Sequence, residues 1–273
     1  MAYWITKFGT TNLPTRAQTQ DVGTGEARSG LVTLPDGSGF DAYGANPTRV
    51  RPWELSVKGA VVADTEAALH TAASALYALV GRSDYLYRTP DGGTANSQRI
   101  RARCLRADFN RDVRHRLWAE PTLRFEVQSP TWEGTADVTT VGTLATKGTL
   151  TVTNAGDAPV WGPVFQVVPS GALTAFQLNC WVAGYWAHMC YGTAYGTGAT
   201  GGTVPAGGTL LIDCANYAVT VNGTPSYSKF ELGTYHELDA WAVLRAGTTT
   251  PWAVTFDGGG NVVLTCTHRS AYA

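Results

Sequence analysis

The sequence predicts a mainly β protein of two domains, and three observations carry that prediction. Short runs of alternating apolar and polar residues recur along the 273 residues, punctuated by glycine and asparagine. A single segment, 64–81, repeats its apolar residues at helical spacing. The charge is divided unevenly: residues 1–133 hold 16 Lys/Arg and 14 Asp/Glu, residues 134–273 hold 4 and 7. A chain of this length fills one large or two ordinary domains. The first domain is expected to end near "SPTWEG", 129–134, giving domains 1–133 and 134–273, with "GTADVTTVGTLATKG" at 134–148 read as a linker.

Within 1–133, "LPDGSG" at 34–39 signals a turn. "PWELSVKG" at 52–59 alternates, with Trp53, Leu55 and Val57 on one side and Glu54, Ser56 and Lys58 on the other, as a half-buried strand does. The helix follows. Asp64 or Thr65 can cap it, Glu66 suits its positive end, and Gly81 stops it. Leu69, Ala72, Ala73, Leu76, Leu79 and Val80 form its apolar stripe, and His70 falls on the solvated side. In "QRIRARCLRAD" at 98–108, Ile100, Ala102 and Cys104 oppose Arg99, Arg101 and Arg103. "NRDVRHR" at 110–116 reads as a loop, and "PTLRFEVQSP" at 121–130 as the next strand. From 149 onward, "TLTVTN", "VFQVV", "LLIDC", "AVTVNG", "WAVLRAG" and "WAVTFDGGGNVVLTCTHR" are short strands separated by turns, the pattern of a β-sandwich.

The formal charge of −1 argues against general nucleic-acid binding. The start, "MAYWITKFGTTNLPTR", lacks the apolar core of a signal peptide, and no run approaches the roughly 20 apolar residues of a membrane span. A soluble protein made in a cytoplasm is expected. Its five cysteines are odd in number and show no C-x-x-C spacing, so reduced, buried thiols are expected.

Candidate chemistry is sparse, and no catalytic, metal or cofactor residue is assigned. Gly196, Gly198 and Gly201 fit G-x-G-x-x-G, but "TVPAGGTLLID" follows, with Pro205 and no helix to carry a pyrophosphate. No pair among Asp137, Asp157, Asp213, Glu231, Glu237, Asp239 and Asp257 is singled out as glycosidase carboxylates. Cys180, His188 and Cys190 make C-x7-H-x-C, not a zinc spacing, and are read as core thiols with a surface histidine. Trp161, Trp181, Tyr185, Trp186, Tyr191 and Tyr195 admit core packing or sugar stacking, with Trp181, Tyr185 and Trp186 as the candidate glycan or partner contacts. Arg99, Arg101 and Arg103, extended by Arg106, Arg111, Arg114 and Arg116, form a stripe in a chain with 16 Arg and 4 Lys. Guanidinium suits bidentate pairing across an interface, and a plain charged outer strand is the other reading. In "LLIDCANYAVTVNG" at 210–223, Leu210, Ile212 and Cys214 face the core, Ala215-Asn216 fits a two-residue turn, and Asn222-Gly223 makes the next. Asp213 is read as a turn carboxylate accepting backbone amides.

Taken in order, these segments resemble the distal tail proteins of long-tailed, non-contractile bacteriophages, which form the baseplate hub. The resemblance rests on "PWELSVKGAVV", the helix ending "LYALVG", and the Arg-rich strands ending "SPTWEG". It continues through "TVTNAGDAPVWGPVFQVV", the hairpin "PAGGTLLIDCANYAVTVNG" and the close "THRSAYA". It implies a tail-tube-like β-sandwich with one packed helix at 1–133, assembling as a ring, commonly a hexamer, around the DNA channel. It implies a galectin-like β-sandwich at 134–273 that serves as an attachment platform. The implied partners are the chain itself, the tail tube protein and a tail-associated fibre or lysin protein, with DNA only as cargo, at the virion tail tip after assembly in the host cytoplasm. Larger members carry inserted carbohydrate-binding modules, and this chain reads as the minimal, non-enzymatic form. "CWVAGYWAHMCYGTAYGTGATGG" at 180–202 departs from the pattern and is read as a specialised loop. Arg99, Arg101 and Arg103 become candidate inter-subunit contacts. The alternative function is a carbohydrate-binding adhesin or receptor-binding protein using the aromatics of the second domain.

Overall fold

The computed structural model describes residues 3–14, 18–20, 31–33, 39–41, 53–90, 96–111, 115–127, 131–160, 162–182, 185–192, 201–232 and 241–272. It divides into two compact units, Met1–Thr135 with Ala273, and Ala136–Tyr272. In the first unit the elements are β1 Tyr3–Phe8, β2 Thr11–Asn12, β3 Gln18–Gln20, β4 Leu31–Thr33, β5 Gly39–Asp41, β6 Trp53–Lys58 and β7 Val61–Val62. Helix α1 Glu66–Tyr77 follows, then β8 Ser83–Pro90, β9 Gln98–Arg111, β10 Trp118–Val127 and β11 Trp132–Gly134.

Antiparallel pairings close this unit's main sheet on itself. β9 pairs β8, β8 pairs β1, β1 pairs β3, β3 pairs β6, β6 pairs β10, and β10 returns to β9. Each of these strands therefore has a neighbour on both sides. The alternation read in the sequence decides which side chains fill the inside: Leu55 and Val57, Ile100, Ala102 and Cys104, Leu123, Phe125 and Val127 are all buried. Phe8 meets Phe125 there at 5.0 Å between ring centroids.

Helix α1 is capped by Thr65, whose Oγ1 accepts the Ala68 N–H at 3.1 Å, not by Asp64. Leu69, Ala73, Leu76 and Leu79 are buried, but Val80 is exposed, because the helix ends at Tyr77 and residues 78–81 turn out of phase with it. Gly81 adopts φ +85° in that turn and donates its N–H to Cys104 O at 2.8 Å, which ties the helix end to β9. The expected loop at 110–116 starts later than predicted. β9 runs on to Arg111, because β10 pairs it out to Ala119↔Arg111. Residues 112–114, like 34–38 in the predicted turn, lie outside the described residues.

The second unit carries β12 Val138–Leu144, β13 Gly148–Asn154, β14 Val164–Pro169, β15 Leu173–Val182, β16 Tyr185–Gly192 and β17 Leu210–Asp213. They are followed by β18 Ala218–Val221, β19 Thr224–Pro225, β20 Phe230–Leu232, β21 Thr248–Gly258, β22 Val262–His268 and β23 Ala271–Tyr272. Two antiparallel sheets form, in the orders β12-β22-β14-β17-β18-β19 and β13-β21-β15-β16-β20. Trp252 of one sheet is wholly buried and meets Phe165 of the other edge-on at 5.2 Å, so the sheets share one core.

Asn154 holds the turn after β13. Its Nδ2 donates to Ala158 O at 2.8 Å and Arg245 O at 3.0 Å, and its Oδ1 accepts the Gly156 N–H at 3.1 Å. A Cβ on Gly156 would lie 1.8 Å from Ala271 O, so no larger residue fits that turn.

Several expectations are corrected in this unit. The stretch read as a linker contains β12, fully paired with β22 from Val138↔His268 to Leu144↔Val262. "WAVLRAG" is not a strand, because Leu244 makes only an isolated bridge to Val160. The segment read as a loop at 180–202 is strand as far as Gly192, pairing β15 with β16. His188 is 7% exposed rather than at the surface. The hairpin turn spans Cys214–Tyr217, since Asp213 pairs Ala218, and Tyr217, not Asn216, takes the positive φ of 53°. Asn222 and Gly223 do form the next turn, at φ 50° and 79°.

Candidate functional site

The charged face of the first unit is built on β9. Because Ile100, Ala102 and Cys104 turn inward, Arg99, Arg101 and Arg103 stand together on its outer side. The neighbouring strands then differentiate them. β8 sets Tyr85 opposite Arg101 and Tyr87 opposite Arg99, and β11 sets Glu133 opposite Arg99. Arg99 Nε donates to Glu133 Oε1 at 2.7 Å, while its guanidinium lies 4.1 Å from the centre of the Tyr85 ring. Burial alone would lower its pKa, but the Glu133 hydrogen bond and charge, with Tyr85, outweigh that and raise it. Arg101 approaches the same ring at 5.9 Å and remains exposed, as does Arg103. Lys7 lies 5.6 Å from the Tyr87 ring, so the cationic face continues onto β1.

Of the rest of the predicted stripe, Arg106 and Arg111 are occupied internally. Arg106 pairs with Asp108 at 2.8 Å, and Arg111 with Glu66 at 3.2 Å and with Arg116 O at 3.0 Å. Arg114 lies outside the described residues. Sequence reasoning missed Arg88, which is 1% exposed, donates to Gln98 Oε1 at 2.6 Å and lies 4.4 Å from the Trp132 ring centre. The signal was its parity with Leu86 on β8.

The first unit also has a groove of about 540 Å³ between β2, β7 and α1, with Leu13 and Leu76 in its floor and Trp118 and Val62 at its rim. Among the described residues its lining contains no ionisable side chain, and Val62 is 77% exposed. Such a groove can hold apolar groups but cannot move a proton.

The Cys/His corner has no nucleophilic character. Cys190 Sγ lies 2.9 Å from His188 Nε2, which also contacts Gln177 Nε2. Burial pushes the Cys190 thiol up to about 12 and the Cys180 thiol to about 11, so both stay protonated. Among the described residues no three His, Cys, Asp or Glu side chains gather as metal ligands. All five cysteines are buried and free. Tyr191 is core, whereas the side chains of Trp181, Tyr185 and Trp186, and Trp161 and Tyr195 altogether, lie outside the described residues. Gly196 and Gly198 do so as well, and Gly201 adopts φ +67°.

Asp213 is the turn carboxylate expected. Its Oδ1 accepts the N–H groups of Ala215 and Asn216, both at 3.0 Å, and its Oδ2 accepts Asn216 Nδ2 at 2.8 Å. Cys214 beside it is 1% exposed.

No protein-family model and no curated protein matches the sequence. Among solved structures, the chain is similar to the SPP1 Dit protein, described as a paradigm of the hub adsorption apparatus in phages infecting Gram-positive bacteria. The match has 17% identity and a TM-score of 0.60, and covers 98% of this chain and 99% of that one. A chain of the phage P2 baseplate in its activated conformation with Ca aligns over 100% of this chain and 99% of its own, with 7% identity and a TM-score of 0.40. Over 98% of its length the chain thus shares the mainly β fold of the SPP1 Dit protein.

Proposed function

We propose that the chain is the distal tail protein of a siphophage, a non-enzymatic structural component of the virion that forms the ring-shaped hub at the tail tip. The observation that carries this reading is the fold match to SPP1 Dit, which runs through both units and nearly the full length of both chains. Residues 1–133 act as the tail-tube-like, ring-forming domain, and 134–273 as a galectin-like platform. In this reading the chain surrounds the channel through which DNA passes only as cargo, and joins the tail tube above to fibre or lysin proteins below.

The outer face of β9 supports self-association by charge. Arg99 is already neutralised by Glu133, so Arg101 and Arg103 are the guanidinium groups offered to a neighbouring copy. A hexamer is the expected ring. Negative-stain imaging of the purified protein tests the reading: six-fold rings support it. A monomer that binds glycans on an array, through the hairpin bearing Trp181, Tyr185 and Trp186, would replace it with the adhesin.

A further inference from the structure

The five-stranded sheet of the second unit turns one face to the core and the other outward. Phe176, Leu178 and Cys180 of β15 and Met189 and Tyr191 of β16 belong to the core. By strand alternation, Gln177, Asn179, His188 and Cys190 therefore stand on the outer face. Register sets one row across that face, Thr149–Ala253–Asn179–His188, from β13 through β21 and β15 to β16. Thr149 and Ala253 are exposed, and so are Thr151 and Pro251 in the neighbouring row. Ala253 carries only a methyl group, so the face is shallow immediately beside Asn179. The next pair of positions on this face, toward the hairpin turn, is Trp181↔Trp186.

Asn179 and His188 hold an unanswered acceptor and an unanswered donor side by side. His188 Nε2 meets Gln177 Nε2, and Cys190 Sγ at 2.9 Å. An amide nitrogen only donates, and burial pushes the Cys190 thiol up to about 12, which keeps its proton on. Nε2 is therefore the acceptor of the ring, and the ring proton sits on Nδ1. Burial also lowers the His188 pKa, so the ring is neutral. Nδ1 is buried without a hydrogen-bond partner among the described residues, and so is Oδ1 of Asn179, the residue directly opposite. His188 as a whole is 7% exposed. Buried polar atoms in this state are uncommon, and here two of opposite character are neighbours. Together they call for a ligand that accepts from one and donates to the other. Two vicinal hydroxyls do both.

Charge on the same face narrows the ligand further. None of the five strands contains a lysine or arginine. Their carboxylates are Asp257, opposite Ala175, and Glu231, opposite Cys190. Both lie on the far side of the Asn179–His188 pair from positions 181 and 186. Nothing on these strands attracts a phosphate or a carboxylate. We infer that this face binds a neutral saccharide: His188 Nδ1–H donates to one hydroxyl, Asn179 Oδ1 accepts from its neighbour, and the sugar ring lies over Ala253. The adhesin reading named this hairpin for its aromatics alone; the polar half of the site is Asn179 and His188. The inference uses the second unit only and does not depend on the ring.

The full chain tests this by interferometry on immobilised glucose, galactose, mannose and N-acetylglucosamine conjugates, with a sialic acid conjugate as the charged control. Retention on at least one neutral conjugate is expected, and none on sialic acid. Asn179→Leu removes the acceptor at similar volume, and Ala253→Arg fills the hollow from an exposed position. Each should weaken retention about tenfold or more. Ser74→Arg, on the exposed side of α1, should leave it unchanged. Ala253→Arg keeps the test decisive if Asn179→Leu does not fold. Retention on no neutral conjugate, the result if a water alone bridges the two atoms, overturns the inference. Retention that the folded variants leave intact overturns it equally, as does a preference for sialic acid. Arg101→Glu with Arg103→Glu should lose rings and keep sugar binding. Rings without sugar retention therefore remove this inference alone, and sugar retention by a wild-type chain that forms no rings removes the hub reading alone.

Discussion

The two units of this chain offer themselves to partners in opposite ways. In the first, the six main strands pair in a closed circuit, so their backbone groups are used up internally and recognition falls to side chains. There the outer face of β9 supplies exposed Arg101 and Arg103. In the second, the two described sheets are open and charge is sparser, with 4 Lys/Arg and 7 Asp/Glu over residues 134–273. Along β12, β22, β14, β17 and β18, the outer face of the six-stranded sheet carries one charged residue among those described, Asp213. Charge steers and fixes orientation, and is weakened by salt, while backbone pairing is indifferent to salt but needs a flat, unblunted edge.

The largest expected effects come from breaking either unit's own fold, because the contrast needs both intact. Trp252→Ala empties the centre of the second unit's core and is expected to cost about 3–5 kcal/mol. Asn154→Ala removes the donors to Ala158 O and Arg245 O and the acceptor for Gly156 N–H, and is expected to cost about 2–4 kcal/mol. Denaturant unfolding should show both losses in the second unit. If the Asn154→Ala midpoint matches wild type, the turn is held by something else.

Next in size is the effect on assembly. Arg101→Glu with Arg103→Glu is expected to weaken association through the first unit on the order of tenfold or more, leaving the fold intact because both side chains are exposed. Size-exclusion chromatography with light scattering reads this directly. Raising the salt should mimic the substitution in wild type. An oligomer indifferent to both would move the ring contact away from β9.

How far this contrast could be read in the sequence differs between the units. In the first, the alternation of β9 and β10 was legible because each has one buried and one wet face. The specific role of Arg99 was not, because it depends on Glu133, 34 residues away. Arg88 shares parity with Leu86 and so points inward, but what makes its burial tolerable, Gln98 and Trp132, is not adjacent in sequence. In the second unit, β12 looked like a linker because an edge strand with threonine on both faces shows no apolar period. "WAVLRAG" looked like a strand because three of its residues, Ala242, Val243 and Leu244, are buried, although they lack a paired neighbour along their length. Asp213 was legible because an Asx turn is local.

A smaller and graded effect separates the units by pH. His188 and His268, both in the second unit, are buried and have their pKa values pushed below the usual 6.5 by that burial; a backbone contact with Thr153 partly offsets it at His268. Once unfolded, each binds a proton below about 6.5, while in the fold it stays neutral to lower pH. The unfolded state therefore takes up more protons, and the second unit loses stability as pH falls below about 6.5 and keeps it in full above. The described histidines of the first unit, His70 and His115, are exposed. Thermal unfolding followed from pH 8 to pH 5 should show the decline, and His268→Gln should flatten it. An unchanged slope in that variant would locate the acid sensitivity elsewhere.

The smallest effect tests whether the one charge on the six-stranded sheet's outer face is available to partners at all. Asp213 spends both oxygens on its own turn, accepting Ala215 N–H, Asn216 N–H and Asn216 Nδ2. Asp213→Ala should cost about 1 kcal/mol by freeing the Cys214–Tyr217 turn. Asp213→Asn retains an acceptor for the backbone amides and should cost a few tenths. Neither should change the mass of the assembly, because the carboxylate already has its partners. A change in association with Asp213→Asn, at unchanged stability, would mean that the carboxylate faces a partner and that the second unit, too, recognises by charge.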